Sequence, residues 1–426
     1  MNAYNELKER GFIYQETDAD AIARLLDQEK IAFYVGFDPT GSSLHVGHLL
    51  PIMAMRLLQK FGHKPIVLVG GATGQIGDPS GKLTARPILT KEEVAHNVEC
   101  LRGQLARFIS VDDALFVNNA DWFENVKYLD FLREIGNKFS VNKMLTQESV
   151  RMRLENGLSF LEFNYSILQA YDFYVLNRDH DCRMQFGGQD QWGNMVSGVE
   201  LVRRMSRNEV YCMTFPLLLD SNGMKFGKTA GGNNVWLDVS RTPVFDYYQF
   251  WRNCDDAQLG KLLAYFTTLP MEEVTRLAAL SDGGINRAKE ILAFEATKLA
   301  HGEEAARAAY LAAGGKFGFA DPAGKIATAS SIAQIDIGKA GVSDVPAVEL
   351  ASERFAGEGL RITNLFAEVG LTRTVSEARR LVEGGGAYCN DERVGDFNRM
   401  ITAADFRDGA LLLRAGKKNM RKVVLK

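Results

Sequence analysis

Apolar and polar positions switch between two periods early in the chain. Residues 31 to 37, Ile-Ala-Phe-Tyr-Val-Gly-Phe, are a short β-branched and aromatic run, and the dense turn Asp38-Pro39-Thr40-Gly41 must end it, so a strand is expected there. From Leu49 the apolar residues Leu50, Met53, Ala54, Leu57 and Leu58 recur at helical spacing, and Gly62 closes the run. Pro51 falls in the first turn of that helix, where proline is tolerated. The next run, from Lys64, reads Pro-Ile-Val-Leu-Val and ends in glycines, as a buried parallel strand does. Strand, loop, helix, strand predicts an α/β fold, a Rossmann-like doubly wound parallel sheet whose ligands sit at the C-terminal ends of its strands.

Residues 3 to 30 carry helical patterns and are expected to wrap this core. From Thr90 to Leu154 the pattern is largely helical, with Trp122 to Ile135 and Lys143 to Leu154 the clearest stretches. It carries more aromatic and aliphatic residues than one amphipathic helix pair needs, so part of it is expected to be a dimer interface. Residues 160 to 176 read as a mostly apolar helix interrupted by Tyr165, Gln169 and Asp172, whose spacings of four and three put them on one face. Residues 184 to 194 read as a second strand-to-helix turn. The predicted organisation is a nucleotide-binding domain over 1–220 with a helical insertion at about 90–160, a mobile lysine loop over 221–242, an all-helical domain over 243–316, a linker over 317–356 and a small α+β domain over 357–426.

Composition narrows the classes. With 426 residues and 46% hydrophobic content the chain can bury a sizeable core. A net charge of −3 advertises no global affinity for nucleic acid. Residues 357–426, however, hold 13 Lys/Arg against 9 Asp/Glu, and Arg414 to Lys426 has six basic residues and no acid, a local surface suited to a polyanion. Five scattered cysteines fit neither a disulfide framework nor a zinc knuckle. The N-terminus lacks the apolar core of a signal peptide, and no run approaches 18 apolar residues, so a cytoplasmic protein with no membrane contact is expected.

The chemistry concentrates in four places. His45 and His48, three apart at the positive end of the first helix, can donate to an anion, and Gly47 between them leaves room for a phosphate chain against the backbone. The same spacing suits half of a metal site or a helix cap, but no Cys or third His lies nearby to complete a zinc set. Asp78 beside the glycine-rich, basic loop that holds Lys82 and Arg86 suits an ammonium on one side and phosphates on the other. The Tyr165, Gln169 and Asp172 stripe looks like a pocket wall, since an aspartate buried in an apolar helix needs a partner or a ligand. Gly187, Gly188, Gln189, Asp190 and Gln191 form a turn able to approach a ribose and accept from its hydroxyls.

Strand-Gly-Phe-Asp-Pro-Thr followed by His-Val-Gly-His resembles the signature of class I aminoacyl-tRNA synthetases, in the form used by bacterial-type tyrosyl-tRNA synthetases. Lys225-Phe226-Gly227-Lys228-Thr229, about 180 residues downstream, resembles the mobile lysine loop of that family. The helix-helix-strand order after residue 360 resembles an S4 RNA-binding domain. The resemblance implies ATP-dependent activation of tyrosine and its transfer to tRNA(Tyr) by a homodimer. ATP is a substrate accompanied by Mg²⁺, with no tightly bound protein metal. It implies that His45, His48 and Thr40 face the phosphates and that Lys82, Arg86, Lys225 and Lys228 close over the leaving pyrophosphate. Gly36, Asp38, Gly47, Gly188, Asp190, Lys228 and Thr229 are implied for ATP binding. Tyr34 and Asp172 are implied at the phenolic hydroxyl of tyrosine, Asp78, Tyr165 and Gln169 at its ammonium, and Gln191 near its carboxylate. Arg373, Arg379, Arg380, Lys417 and Lys418 are implied for RNA binding. Departures from the family pattern are Val35, Pro51, Ala120, Phe186 and Gln189, none of which carries an assigned chemical role.

Three rivals remain. A tryptophanyl-tRNA synthetase shares the fold, but Tyr34 with Asp172 and the S4-like tail favour tyrosine. A catalytically silent RNA-binding relative would have lost His45, His48, Lys225 or Lys228, and all are present. A dinucleotide oxidoreductase would need its glycine fingerprint at the first strand, where it is missing.

Overall fold

The run at 31–37 and the run at 64–69 form adjacent parallel strands, β2 (Ala32–Phe37) and β3 (Lys64–Val69), in register from Ala32 opposite Lys64 to Phe37 opposite Val69. This is a computed structural model that describes residues 2–80, 89–155, 157–219, 223, 226–227, 233–337, 347–357, 359–372, 374–390, 392–407, 409–416 and 419–426. With β1 (Gln15–Glu16), β4 (Leu115–Asn118), β5 (Cys182–Gly188) and β6 (Tyr211–Phe215) they make a six-stranded sheet ordered β1-β6-β5-β2-β3-β4. All neighbours run parallel except β1, which pairs antiparallel with β6.

Successive strands β2, β3 and β4 build outward on one side of β2, whereas β5 and β6 lie on the other. The direction of winding therefore reverses between β2 and β5, and a crevice opens at their C-terminal ends, where a doubly wound sheet binds ligands. Both faces of the central strands are covered, so β2 and β3 read as continuous apolar runs rather than alternating ones. Tyr34, Ile66, Leu68, Phe173, Leu176 and Cys182 share one buried cluster. Phe33 and Phe186 meet edge-to-face at 5.3 Å, and Phe186 stacks on Phe215 at 5.9 Å. Each such ring withdrawn from water contributes about 2 kcal/mol, less the entropy of ordering it.

Two local readings change. Strand β4 lies inside the stretch read as largely helical. It is only four residues long, half-buried at the sheet edge, and too short to leave a period in the sequence. The helix read over 160–176 is two pieces, Phe160–Phe163 and Tyr165–His180, broken at Asn164, whose side-chain amide donates to the Phe160 carbonyl at 2.7 Å.

The chain divides into two compact units, Met1–Ala279 and Leu280–Lys426, a division that falls within the helical stretch at 243–316. In the first unit the N-terminal helix Ala3–Arg10 is fastened by Arg10, buried, which bonds Glu6 and the carbonyls of Ala264, Thr267 and Leu269.

The second unit opens with helices Asp282–His301 and Glu303–Phe317, separated by Gly302 at φ +88°. Its strands are β7 (Ala347–Leu350), β8 (Leu360–Arg361), β9 (Ala387–Cys389), β10 (Glu392–Arg393), β11 (Met400–Ile401), β12 (Ala410–Ala415) and β13 (Asn419–Leu425). They form a five-stranded sheet ordered β10-β9-β12-β13-β7 and a two-stranded pair, β11-β8. Helices Ile362–Glu368 and Val375–Glu383 pack on it through Ile362, Leu365, Phe366, Ala378 and Val382 against Leu411, Leu413 and Val423. The stretch read as a linker supplies β7, parallel to the last strand, with Val348 and Leu350 against that core.

Candidate active site

The turn after β2 is rigidly framed. Asn97 and Gln104, both buried on helix Lys91–Leu105, bond the Pro39 carbonyl at 3.0 Å and the Leu44 N–H at 2.9 Å. His45 then caps a 3₁₀ turn, Val46–His48, that leads into helix Leu49–Lys60. The Gly47 N–H donates to His45 Nδ1 at 3.1 Å, and the His45 N–H donates to His48 Nδ1 at 3.1 Å. A neutral ring whose Nδ1 accepts carries its proton on Nε2, so both imidazoles present an Nε2–H donor. Their centroids are 4.0 Å apart. A Cβ on Gly47 would come within 2.8 Å of His45 Cε1, so a larger residue there would push the imidazole aside. Thr40 and Gly36 are exposed beside this turn, with the Thr40 N–H on the Asp38 carbonyl at 2.8 Å.

Beside it, a continuous chain of hydrogen bonds runs through buried and half-buried side chains. Tyr165 donates to Asp38 at 2.8 Å, and Thr73 donates to the other Asp38 oxygen at 2.8 Å. Asn119 donates to Thr73 at 3.0 Å and to Asp172 at 3.1 Å, and accepts the Ala72 N–H at 2.7 Å. The Trp122 indole donates to the remaining Asp172 oxygen at 3.0 Å. Gly70 lets β3 pass this close, since a Cβ there would meet Asp38 Oδ1 at 2.2 Å.

The electrostatics of this network are unusual. Burial pushes the Asp172 carboxyl up to about 8, against the pull of its two donors, Asn119 and Trp122, and with some push from Asp38. The Tyr165 hydroxyl is raised well above its ordinary range, first by burial and then by Asp38, Asp78 and Asp172 around it. Asp38 on that hydroxyl and Asp78 nearby give the pocket a preference for a cation. Asp78 accepts from the Ser80 N–H at 2.9 Å and from Gln191 at 2.6 Å, and Asn194 completes the group on Gln191 and Ser80.

Tyr34, 1% exposed on β2, packs on Phe173 at 5.3 Å, and its hydroxyl makes no hydrogen bond among the described residues. Burial, followed by Asp172, raises that hydroxyl well above its ordinary range. Gln169 is half-buried one turn along the helix from Tyr165; Gly188 ends β5 and Asp190 is exposed in the turn Gln189–Gln191 that follows. The structure thus brings Tyr34, Asp38, Asp78, Tyr165, Asp172 and Gln191 to one crevice with His45 and His48 above it. Lys82, Arg86, Lys225, Lys228, Thr229, Arg373, Lys417 and Lys418 lie outside the described residues.

Sequence reasoning missed Asn119, Thr73, Asn97 and Gln104. A fully buried asparagine at the end of a four-residue strand gives no pattern, whereas Asn97 and Gln104 could have been found as polar residues on the apolar face of an amphipathic helix. A separate cavity of about 550 Å³ lies at the far end of helix Leu49–Lys60, near Met53, Arg56 and Lys60. Two half-buried polar side chains in its lining are spent on the protein, Arg56 on the Phe108 carbonyl and Gln59 on Ser110.

In the second unit Arg379 and Arg380 are exposed on helix Val375–Glu383. Arg379 bonds Glu383 at 2.8 Å and lies over the Phe397 ring. Arg414 lies over Tyr388 at 3.7 Å. Among the described residues no cluster of three His, Cys, Asp or Glu has the arrangement of a metal site, and no helix is long and apolar enough to cross a membrane.

Residues 26–317 match the family model described as tRNA synthetases class I (W and Y), and residues 336–423 match the Tyrosine--tRNA ligase SYY-like C-terminal domain. The chain is 49% identical over 427 residues to a Tyrosine--tRNA ligase of Clostridium beijerinckii, covering all of both chains. It is 48% identical over 426 residues to one of Clostridium botulinum, covering 100% of this chain and 99% of that one. A C-terminally truncated mitochondrial tyrosyl-tRNA synthetase of Aspergillus nidulans superposes with a TM-score of 0.66 at 30% identity, covering 73% of this chain and 92% of that one. The Archaeoglobus fulgidus tyrosyl-tRNA synthetase, with a TM-score of 0.56 at 17% identity and covering 72% of this chain and all of that one, shares the fold. The signature turn, the crevice at the switch point and these full-length likenesses agree: the chain belongs to the class I tRNA synthetases, in the tyrosine--tRNA ligase group.

Proposed function

We propose that the chain activates L-tyrosine with ATP and transfers the tyrosyl group to the 3′ end of tRNA(Tyr). The observation that carries this reading is the pairing of Tyr34 Oη, a buried donor in need of an acceptor, with Asp172, in a crevice whose other wall is Asp38, Asp78 and Tyr165. A phenolic hydroxyl can accept from Tyr34 and donate to Asp172, while an α-ammonium meets the carboxyls around Tyr165. Tyrosine offers both groups. A site whose buried polar atoms need a hydroxyl discriminates strongly against phenylalanine, and tyrosyl-tRNA synthetases are the established example of that principle.

The substrate carboxylate oxygen attacks the α-phosphorus, the bond from that phosphorus to the bridging oxygen breaks, and pyrophosphate leaves. The attacking carboxylate is already ionised, so no general base is needed, and the protein's task is to position the groups and stabilise the charge spreading over the phosphates. The Nε2–H donors of His45 and His48 face that charge from the helix end, and Mg²⁺ enters with ATP as part of the substrate. Lys82, Arg86, Lys225 and Lys228 supply the remaining positive charge in this reading, and Thr40 and Asp190 lie beside the phosphates and the ribose. In the second step a terminal ribose hydroxyl of the tRNA attacks the tyrosyl carbonyl carbon and AMP leaves. Arg379 and Arg380 lie on the face proposed for RNA. The reaction is assigned to the cytoplasm.

A homodimer is part of the proposal. Tyr128, Leu129, Val141, Met152, Leu154 and Phe160 are exposed on the short helices between Tyr128 and Phe163, apolar surface that a second copy would cover.

The test is amino-acid-dependent exchange of labelled pyrophosphate into ATP, without tRNA, using tyrosine, tryptophan and phenylalanine. Exchange with tyrosine alone is expected; exchange with tryptophan, or none in folded protein, would overturn the reading. Asp172→Ala should weaken tyrosine use by orders of magnitude while the KM for ATP stays within about threefold.

A further inference from the structure

The segment that returns from the lysine motif is stitched to the histidine turn by backbone hydrogen bonds. The Val46 N–H donates to the Val235 carbonyl at 2.9 Å and the Leu237 N–H to the Leu44 carbonyl at 2.9 Å, so Trp236 lies opposite His45 as in a short antiparallel ladder. The Val235 N–H also donates to the Gly227 carbonyl at 2.9 Å, tying the same segment to the described part of the lysine motif.

The side chains continue the match. The Trp236 and His45 rings meet edge-to-face, 5.8 Å apart at 70°. On the Trp236 ring lies the Arg241 guanidinium, 3.4 Å from the centroid. The Trp236 N–H is held by Thr242 Oγ1 at 2.9 Å, and Thr242 is buried. Arg241 is exposed but not loosely placed. Its N–H and that of Thr242 both donate to the Asp238 carbonyl, and the Asp238 carboxylate, held by the Ser240 N–H and hydroxyl, faces the Arg241 charge.

An imidazole that must aim Nε2–H at a transferring phosphoryl group needs its ring plane fixed as well as its tautomer. The Gly47 N–H on Nδ1 fixes the tautomer, and the His48 ring lies beside the His45 ring with centroids 4.0 Å apart. Trp236 adds a lateral restraint at the ring edge, and the Arg241 cation on the indole holds it in place. We infer that Trp236, held by Arg241, is a positioning residue that orients His45 for the activation step and couples that orientation to the lysine segment. This rests on the reading of the site as a tyrosine-activating one.

The experiment compares the full chain with Trp236→Leu, Trp236→Phe and Arg241→Gln in tyrosine-dependent pyrophosphate exchange. It also records ¹⁵N-detected imidazole resonances of His45 without substrates. Trp236→Leu should lower the maximal exchange rate about 100-fold, as a misplacement of about 1 Å does, with the KM for tyrosine unchanged because Tyr34 and Asp172 are untouched. Trp236→Phe keeps a ring edge against His45 and should recover most of that loss. Arg241→Gln, at an exposed position that leaves folding intact, should lose about 3- to 10-fold. The His45 resonances should read as a single Nε2–H tautomer in the parent and exchange-broaden in Trp236→Leu. A Trp236→Leu or Arg241→Gln protein with the parent's rate and parent His45 resonances would overturn the inference. So would a loss carried equally by the tyrosine KM and the melting temperature, the mark of a general packing role. If the parent itself shows no tyrosine-dependent exchange, the activity reading fails, while the His45 resonances still report whether Trp236 orients that ring.

Discussion

At the scale of single residues, the chemistry of the pocket turns on how Asp172 is held. Its two oxygens take one donor each, from Asn119 and Trp122, in a setting where burial alone drives the carboxyl toward its neutral form. A phenol donates better to a carboxylate than to a carboxyl, so tyrosine binding should strengthen as pH rises through about 8. The KM for tyrosine in exchange assays is expected to fall between about pH 6.5 and 9. Trp122→Phe removes a donor that favours the ionised form and should move that inflection to higher pH. The linkage to stability has the opposite sign. The free protein holds the Asp172 proton well above the ordinary carboxyl value of about 3.9, so this group's contribution to stability is full below that value and is lost as pH rises toward 8. Tyrosine should therefore raise the melting temperature more at pH 9 than at pH 6.5, and an equal rise at both would sink the assignment of Asp172 to the phenol. The aspartate itself was legible in the sequence as a charge inside an apolar helix. Its partners were not, because Asn119 and Trp122 reach it only after β4 has been laid beside β3 and the turn that follows it has met the pocket helix.

At the scale of elements, the strand-turn-helix unit from Ala32 to Lys60 could be read nearly to the residue because every signal in it is local: an apolar run, a turn, a 3.6-residue period. Elements set by distant partners escaped. Strand β4 exists because Ile66 to Val69 offer an open edge, and β7 because the last strand offers another. The resemblance implies Asp38 in ATP binding; its carboxylate also bonds Tyr165 and Thr73, contacts visible only when the pocket helix, 127 positions away from it at Tyr165, is folded against the turn. The turn also sets a sharp requirement at Gly47. A methyl there would press on His45 Cε1 and Nδ1 and stand 3.6 Å from the Phe226 carbonyl, so the ring rather than the backbone must yield. Gly47→Ala is accordingly expected to cost about 100-fold in the maximal rate of tyrosine activation, with the melting temperature and the KM for tyrosine close to the parent's. A variant that instead unfolds would place the demand for glycine in the fold and not in the aim of the imidazole.

At the scale of the whole molecule, the division of labour follows where each group of residues finds its core. Every described residue given a role with tyrosine or ATP lies between Tyr34 and Gln191, in the unit Met1–Ala279. The strands and helices from Ala347 onward close a core of their own around Leu365, Phe366, Leu411, Leu413 and Val423, with basic residues on the exposed helix. The apolar face between Tyr128 and Phe163 belongs to the first unit, with Leu129 76% exposed and Phe160 70% exposed. Leu129→Glu with Phe160→Glu should halve the mass seen by sedimentation and reduce aminoacylation, because a charge on each side of a self-complementary contact meets its own copy. A chain ending at Asp336 tests the separation from the other direction. Removing residues 337–426 takes away the second core whole, leaving no exposed half of it, and leaves untouched every contact described around Tyr34, Asp172 and His45. Such a chain should retain tyrosine-dependent pyrophosphate exchange within about threefold and lose most of its transfer of tyrosine to tRNA, the loss growing with salt where electrostatic contacts to phosphates carry the affinity. Retained transfer would remove the basic face from the account of RNA binding, and loss of exchange would mean that the first unit depends on the second to hold its site.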